Sequence, residues 1–280
     1  LLNSKSERHP NGLANSSDVV GKYLMDTTGT DMAGFIPDLV DWIPHNSDGV
    51  GGMHVYTPWW LENEKRDFPR GYHIEYWGGN GMPGYGFMGG IHNLNKKLGD
   101  IDGITRPSGG GYGKQLKEDY RRLYGSVIGM SGRGESIAME SNYCTIDSNT
   151  YDKYGIPTLK FNYQWTDHEI QQVKHMHDTF EEVITAMGGI PLWEKPGKDR
   201  DYGITPPGWI IHELGTTRMG NDPKRSAVNS FNQAHDCKNL FVVDGGPFVS
   251  QADKNPTWTI LALSWRTSDY IVDEMKKLNL

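Results

Sequence analysis

The chain lacks any apolar run approaching the ~18 to 20 residues that a helix needs to cross a bilayer, so no helical membrane span is expected. Cysteine is scarce, with two in 280 residues. Cys144 and Cys237 form no CxxC pair and show no metal-ligand spacing, which argues against both a disulfide framework and a zinc site. Two buried free thiols are expected. A basic excess is also missing. Lys and Arg number 28 against 35 Asp and Glu, for a net charge of −7. The cations are scattered, which argues against a nucleic-acid partner. The opening "LLNSKSERHP" has no initial Met, no basic n-region and no apolar leader. It reads as entry into the middle of a longer protein.

Glycine and aromatics are abundant: 35 Gly, 14 Tyr and 9 Trp. Such a composition suits loops around a pocket and suits a sheet-rich domain equally well. Residues 1–32 read as loop, and any helix within 33–60 is kept short by Pro37 and Pro44. "HVYTPWWL" and "GYHIEYWGG" are rich in aromatic and β-branched residues, and they predict two strands joined by a long connection. Residues 115–125 predict a short amphipathic helix, and "YGIPTLKFNYQW" predicts a strand. A longer helix follows. Thr166 or Asp167 can cap it, with Glu169 completing a capping box. Ile170, Val173, Met176, Phe180, Val183 and Ile184 form its apolar stripe. Gly188 and Gly189 end it. "KNLFVVDGG" predicts an apolar strand, and a last helix is expected over about 256–277, with Pro256 in its first turn. Strands and helices alternate irregularly. The fold class expected is therefore α+β, with a mostly antiparallel sheet and flanking helices.

Two motifs are set aside. "GNGMPG" at 79–84 satisfies G-x-G-x-x-G, but Pro83 removes a backbone donor and no helix opens after it, so no dinucleotide site is assigned there. His175 and His177 point to different sides of a helix. With no third ligand they are expected to be solvent-exposed.

"HELGTTRMG" (212–220) and "NPTWT" (255–259) are different in kind. His212 and Asn255 are 43 residues apart, and "NLFVVDGG" lies between them. In this order the stretches resemble the C-terminal signature of the glucose–methanol–choline (GMC) oxidoreductases, FAD enzymes that oxidise alcohols. That signature is His-x-x-Gly-Thr, an apolar strand ending in Asp-Gly, then His or Asn before a final helix. "NGLANSSDVVGKYLMD" and "DKYGIPTLKFNY" also resemble family segments. The latter is similar to bacterial members that act on sugars.

The resemblance implies three parts: residues 1–32 leaving an FAD-binding domain, 33–205 forming a substrate domain, and 206–280 returning to complete the FAD domain with a strand and a helix. It implies His212 as the base that takes the hydroxyl proton while hydride passes to flavin, and Asn255 as a hydrogen-bond donor to the substrate oxygen. It further implies Asp244, Gly245, Pro256 and Thr257 as FAD contacts, with no metal. The family's Gly-rich βαβ unit for the ADP half of FAD is not in this sequence. The expected partners are therefore an FAD-binding half, in the same longer chain or on a second polypeptide, a sugar or glycoside substrate, and an unassigned electron acceptor. The contrasting expectation is a carbohydrate-binding fragment without redox activity. Tyr56, Trp59, Trp60, Tyr72, Tyr76 and Trp77 fit either a sugar-stacking wall or a sheet core.

Overall fold

The structure is a computed structural model that describes residues 1–42, 54–57, 66–78 and 112–280. Its strands are β1 (Thr28–Phe35), β2 (His54–Val55), β3 (Tyr72–Gly78), β4 (Val127–Gly134), β5 (Tyr143–Tyr151), β6 (Pro157–Asn162) and β7 (Ile190–Pro191). Its α-helices are α1 (Gly113–Leu123), α2 (Asp167–Ala186) and α3 (Thr257–Lys276). The residues group into two units. Unit 1 is Leu1–Thr28, Gly134–Glu169 and Thr205–Leu280, and unit 2 is Gly29–Arg133 and Ile170–Ile204.

Unit 2 carries most of a five-stranded sheet ordered β2-β3-β4-β1-β7. β2 pairs antiparallel with β3, and β1 with β7. The α+β expectation therefore holds. One sheet face receives α2. Val173, Met176, Phe180 and Ile184 bury their side chains among Met32, Tyr72, Ile74 and Met130. The close approach depends on glycine. A Cβ on Gly34 would lie 2.7 Å from two Ile184 carbons, and one on Gly132 would lie 2.4 Å from the Met176 sulfur. A second apolar cluster joins Ala33, Phe35, Leu123, Val127 and Leu192.

α2 begins and ends as its sequence predicts. The Glu169 carboxylate accepts from the Thr166 backbone N–H at 2.8 Å and from its hydroxyl. At the other end Gly188 takes φ +68°, a conformation glycine enters at no steric cost. The Gly188 and Gly189 N–H groups close back onto the carbonyls of Thr185 and Ile184, which satisfies the last turn.

Three expectations are corrected. β1 and β4 run through segments whose Gly-rich composition reads as loop. The glycines there make room for Ile184, Met176 and the Trp77 indole. "KNLFVVDGG" is no strand: Phe241 makes one isolated bridge, to Gln233, and Val243 and Asp244 are exposed. An apolar run becomes a strand only where a second backbone pairs along it, and here the pairing stops after one bridge, with the Ala234 N–H on the Leu240 carbonyl and the Val242 N–H on the Asn232 carbonyl, each at 2.9 Å. His177 is only 3 % exposed, and His175 is half-buried with its Nδ1 2.8 Å from the Tyr72 hydroxyl. Both thiols are free, and both are half-buried. The G-x-G-x-x-G stretch at 79–84 lies outside the described residues.

Unit 1 holds the β5–β6 hairpin, paired antiparallel from Tyr143↔Asn162 onward, together with α3 and the irregular segments around it. Its small core joins Val20, Ala227 and Val228 with Leu2, Met219 and Val242. Leu159 and Phe161, predicted to alternate on a strand, do so with their side chains exposed.

Candidate active site

The segment that carries His212 is held by backbone bonds on both sides. Leu214 pairs with Met25 through two N–H···O contacts of 2.9 Å. Gly215 N–H donates to the Gly245 carbonyl at 3.2 Å, and Thr217 N–H to Gly246 at 3.0 Å. The "HELGTT" and "DGG" stretches, far apart in sequence, therefore lie side by side. Glycine is needed at both. Gly215 has φ +94°, and a Cβ on Gly245 would sit 2.4 Å from Leu214 Cδ2.

His212 is fixed by a residue that sequence reasoning missed. Asp26 is 1 % exposed. Its Oδ1 accepts from the Thr27 N–H at 2.8 Å and from the His212 N–H at 3.2 Å. Its Oδ2 accepts from the Gly208 N–H at 2.8 Å. Three backbone donors thus compensate one buried carboxylate. The Pro206-Pro207-Gly208 turn has a clear purpose here, because prolines donate nothing and Gly208 offers the first N–H. The Asp26 N–H donates to the Tyr163 hydroxyl at 3.1 Å. Burial pushes the Tyr163 phenol above its ordinary range, so it stays neutral.

The His212 ring meets Thr27, with Nδ1 3.1 Å from Oγ1. Gln251 Nε2 donates to that same Oγ1 at 2.8 Å and to the Ala252 carbonyl at 3.1 Å. Thr27 and Gln251 are fully buried. Ile211, immediately before the histidine, is 75 % exposed and takes φ +60°, a strained conformation for a β-branched residue. No local signal marks Asp26, Thr27 or Gln251, which reach His212 across more than 180 residues or through a second side chain.

Asn255 is exposed, and Pro256 caps α3. The Ile260 N–H donates to the Pro256 carbonyl at 3.0 Å. Thr257 opens α3 and is exposed, as is Asp244. Gln251, four residues before Asn255, bonds the Thr27 hydroxyl that meets the His212 ring. A cavity of about 840 Å³ is lined by Asp244, Gly245, Gly246, Thr216, Thr217 and Val243 among others. The Thr217 hydroxyl is buried and has no partner among the described residues. Much of the remaining wall is apolar, from Leu2, Val20, Ile146, Leu159, Phe241 and Val242, and His212, Asn255, Pro256 and Thr257 do not line it.

Of the aromatics, Tyr72 is wholly buried in the core and Tyr76 packs against it. The Trp77 indole lies over Gly129, and Tyr56 is exposed. Trp59 and Trp60 are outside the described residues. Among the described residues no cluster of His, Cys, Asp and Glu could hold a metal. None of their helices is long and apolar enough to cross a membrane.

Residues 139–264 match the model of the GMC oxidoreductase family. The chain is 31 % identical to a 2-methyl-1,2-propanediol dehydrogenase of Mycolicibacterium austroafricanum, a match covering 97 % of this chain and 45 % of that protein. It is 27 % identical to a fructose dehydrogenase large subunit of Gluconobacter japonicus, with 99 % and 45 % covered. In fold it is similar to formate oxidase of Aspergillus oryzae, with a TM-score of 0.55 at 15 % identity, covering 94 % of this chain and 48 % of that one. The chain belongs to the GMC oxidoreductases, and it spans about half the length of the relatives it matches.

Proposed function

We propose that this chain is the substrate-oxidising half of an FAD-dependent enzyme that converts a CH–OH group to a carbonyl, in a sugar or glycoside ring. The observation that carries the reading is the placement of His212. A buried carboxylate fixes the His212 backbone N–H, a buried hydroxyl meets its ring, and the backbone just after it, at Gly215 and Thr217, pairs with Gly245 and Gly246. A histidine that served only packing would not call for so many fixed contacts.

His212 takes the hydroxyl proton, which makes the carbinol carbon a better hydride donor. Asn255 donates a hydrogen bond to the substrate oxygen, where negative charge develops. Asp244 and Gly245, on the cavity wall, and Pro256 and Thr257, at the start of α3, hold the cofactor, and the α3 N-terminus supplies partial positive charge. FAD supplies the hydride acceptor when bound. A polyhydroxylated substrate is supported by the fructose dehydrogenase relative. The diol dehydrogenase relative widens the class to small compounds with neighbouring hydroxyls.

The other half of the FAD site is proposed to come from chain outside this sequence. The exposed apolar stripe of α3, with Trp258, Leu261, Trp265, Val272 and Met275, fits a helix that another element covers.

The test is His212→Ala in the flavin-loaded, full-length enzyme, read by rapid-mixing flavin reduction at saturating substrate. The expected loss is about 10²-fold or more. An unchanged rate removes His212 from the base role. A substrate panel in which aryl alcohols or choline are strongly preferred over sugars and diols removes the substrate assignment.

A further inference from the structure

We propose that Thr27 and Gln251 are positioning residues that set which nitrogen of His212 carries the ring proton, with Gln251 acting through the Thr27 hydroxyl. This rests on the base reading of His212 and specifies how that base is kept ready.

The argument is a count of protons. The Thr27 hydroxyl has one proton to give and two lone pairs. Its side-chain partners are the Gln251 amide at 2.8 Å and His212 Nδ1 at 3.1 Å. With the Gln251 nitrogen donating into the hydroxyl, Nδ1 is the acceptor left to the buried Thr27 proton among its side-chain partners, so that proton points at Nδ1 and the ring proton sits on Nε2. His212 is then a donor and cannot act as a base at Nε2. A half-turn of the amide reverses every bond. Gln251 Oε1 then accepts the Thr27 proton, the hydroxyl accepts Nδ1–H, and Nε2 is left with its lone pair.

A glutamine oxygen and nitrogen exchange places by rotation about one torsion. Gln251 Oε1 is buried and has no partner among the described residues, so the half-turn gives a stranded acceptor a proton to bind. It gives up the bond to the Ala252 carbonyl. The half-turn also sets the amide oxygen against the Ala252 carbonyl oxygen, where the nitrogen had stood at 3.1 Å, so the base arrangement is the higher of the two at rest and needs a proton on Nδ1 to draw it in. When the substrate O–H breaks and Nε2–H forms, the imidazolium has two N–H groups. Its Nδ1–H requires Thr27 as acceptor, so proton uptake selects the base arrangement.

Among the described residues, titratable groups near this network include Asp26, on the His212 backbone N–H, Tyr163, on the Asp26 N–H, Glu213, next in the chain, and the buried Asp253 with its partner Lys254, just after Gln251. None of them touches the Thr27 hydroxyl.

The experiment uses the flavin-loaded, full-length protein and follows the pH dependence of flavin reduction. Thr27→Val keeps the shape and removes the hydroxyl. The imidazolium loses its Nδ1 partner, so the acid limb of the profile moves to lower pH by about 0.7 unit and the plateau rate falls about fivefold. Gln251→Glu presents a charged acceptor to Thr27. The acid limb then moves to higher pH, and the 15N shifts of the His212 ring move toward the Nδ1–H pattern. Thr27→Ser retains the hydroxyl and keeps the wild-type limb, which separates the hydroxyl from packing. Limbs that stay at the wild-type position in both Thr27→Val and Gln251→Glu, while His212→Gln remains slow, overturn the positioning role and leave the base intact. A His212→Gln enzyme that reduces flavin at the wild-type rate overturns the base reading, and this inference with it.

Discussion

Asp26→Asn isolates what the buried carboxylate does. Asp26 takes two N–H groups on Oδ1 and one on Oδ2. Asparagine has one acceptor and one donor in the same places. The less harmful orientation keeps the carbonyl toward Thr27 and His212 and turns the amide NH₂ against the Gly208 N–H. One bond is then lost outright. The other two fall from charge-assisted strength, about 1.5 to 3 kcal/mol, to the neutral range near 1 kcal/mol. Gly208 is exposed, so water takes up its freed N–H and limits the penalty. The net expectation is a loss of about 2 to 3 kcal/mol, read as a shift in urea midpoint at unchanged slope. Asp26→Ala also leaves the Thr27 and His212 N–H groups without their acceptor and falls further. Because the asparagine still holds the His212 N–H, flavin reduction slows by less than the roughly 10² expected for His212→Ala. A stability change below about 0.5 kcal/mol refutes the reasoning, because it would mean that water compensates these groups as well as the carboxylate does.

Three further outcomes follow from other sites. The Thr30 hydroxyl donates to the Gly203 carbonyl at 2.8 Å, so His177 Nε2, 2.9 Å from the Thr30 oxygen and 3.1 Å from the Tyr202 carbonyl, must carry a proton. Burial lowers the His177 pKa, so the folded state favours the neutral ring and the unfolded chain binds the extra proton first. This stability is present above the unfolded pKa near 6.5 and is lost as pH falls from there toward the folded pKa, at up to about 1.4 kcal/mol per pH unit. His177→Gln supplies a donor without the titration and flattens that part of a melting-temperature profile; an unchanged slope would rule out His177 as its source. Ile211→Asn relieves the left-handed strain at an exposed position and raises stability by about 1 kcal/mol, checked by urea unfolding. Gly132→Ala drives a methyl against the Met176 sulfur and Phe180 and lowers stability by about 1 to 3 kcal/mol in the same assay.

Features of local chemistry were readable from sequence, and features set by distant partners were not. α2 shows its cap, its stripe and its terminal glycine within some twenty residues, and the structure realises all three. β1 and β4 were hidden because the glycines that let a helix lie close to a sheet are also the residues that mark loops. Gly34 and Gly132 answer to Ile184 and Met176, about 150 and 44 positions further on. "LFVVDGG" misled in the opposite sense, since its apolar pattern is real but the backbone beside it, residues 232–234, pairs with it for a single bridge only. His177 looked exposed because no third metal ligand accompanies it and His175, although Val173 and Phe180 on its own helix face are apolar. Its burial comes from Thr30 and the 202–203 turn. At the candidate site the ring, the Asp-Gly pair and the asparagine could be picked out. The groups that hold the ring, Asp26, Thr27 and Gln251, are single residues in undistinguished stretches.

The backbone passes between the two units four times, after residues 28, 133, 169 and 204. No single cut separates them. During synthesis the unit that begins second is complete first, because its last residue is 204. Unit 1 waits for the remaining stretch, which brings His212, Gln251 and α3. Domains fold as units while the chain emerges. A growing chain therefore holds every residue of the sheet-bearing unit before His212 and Gln251 are added to it.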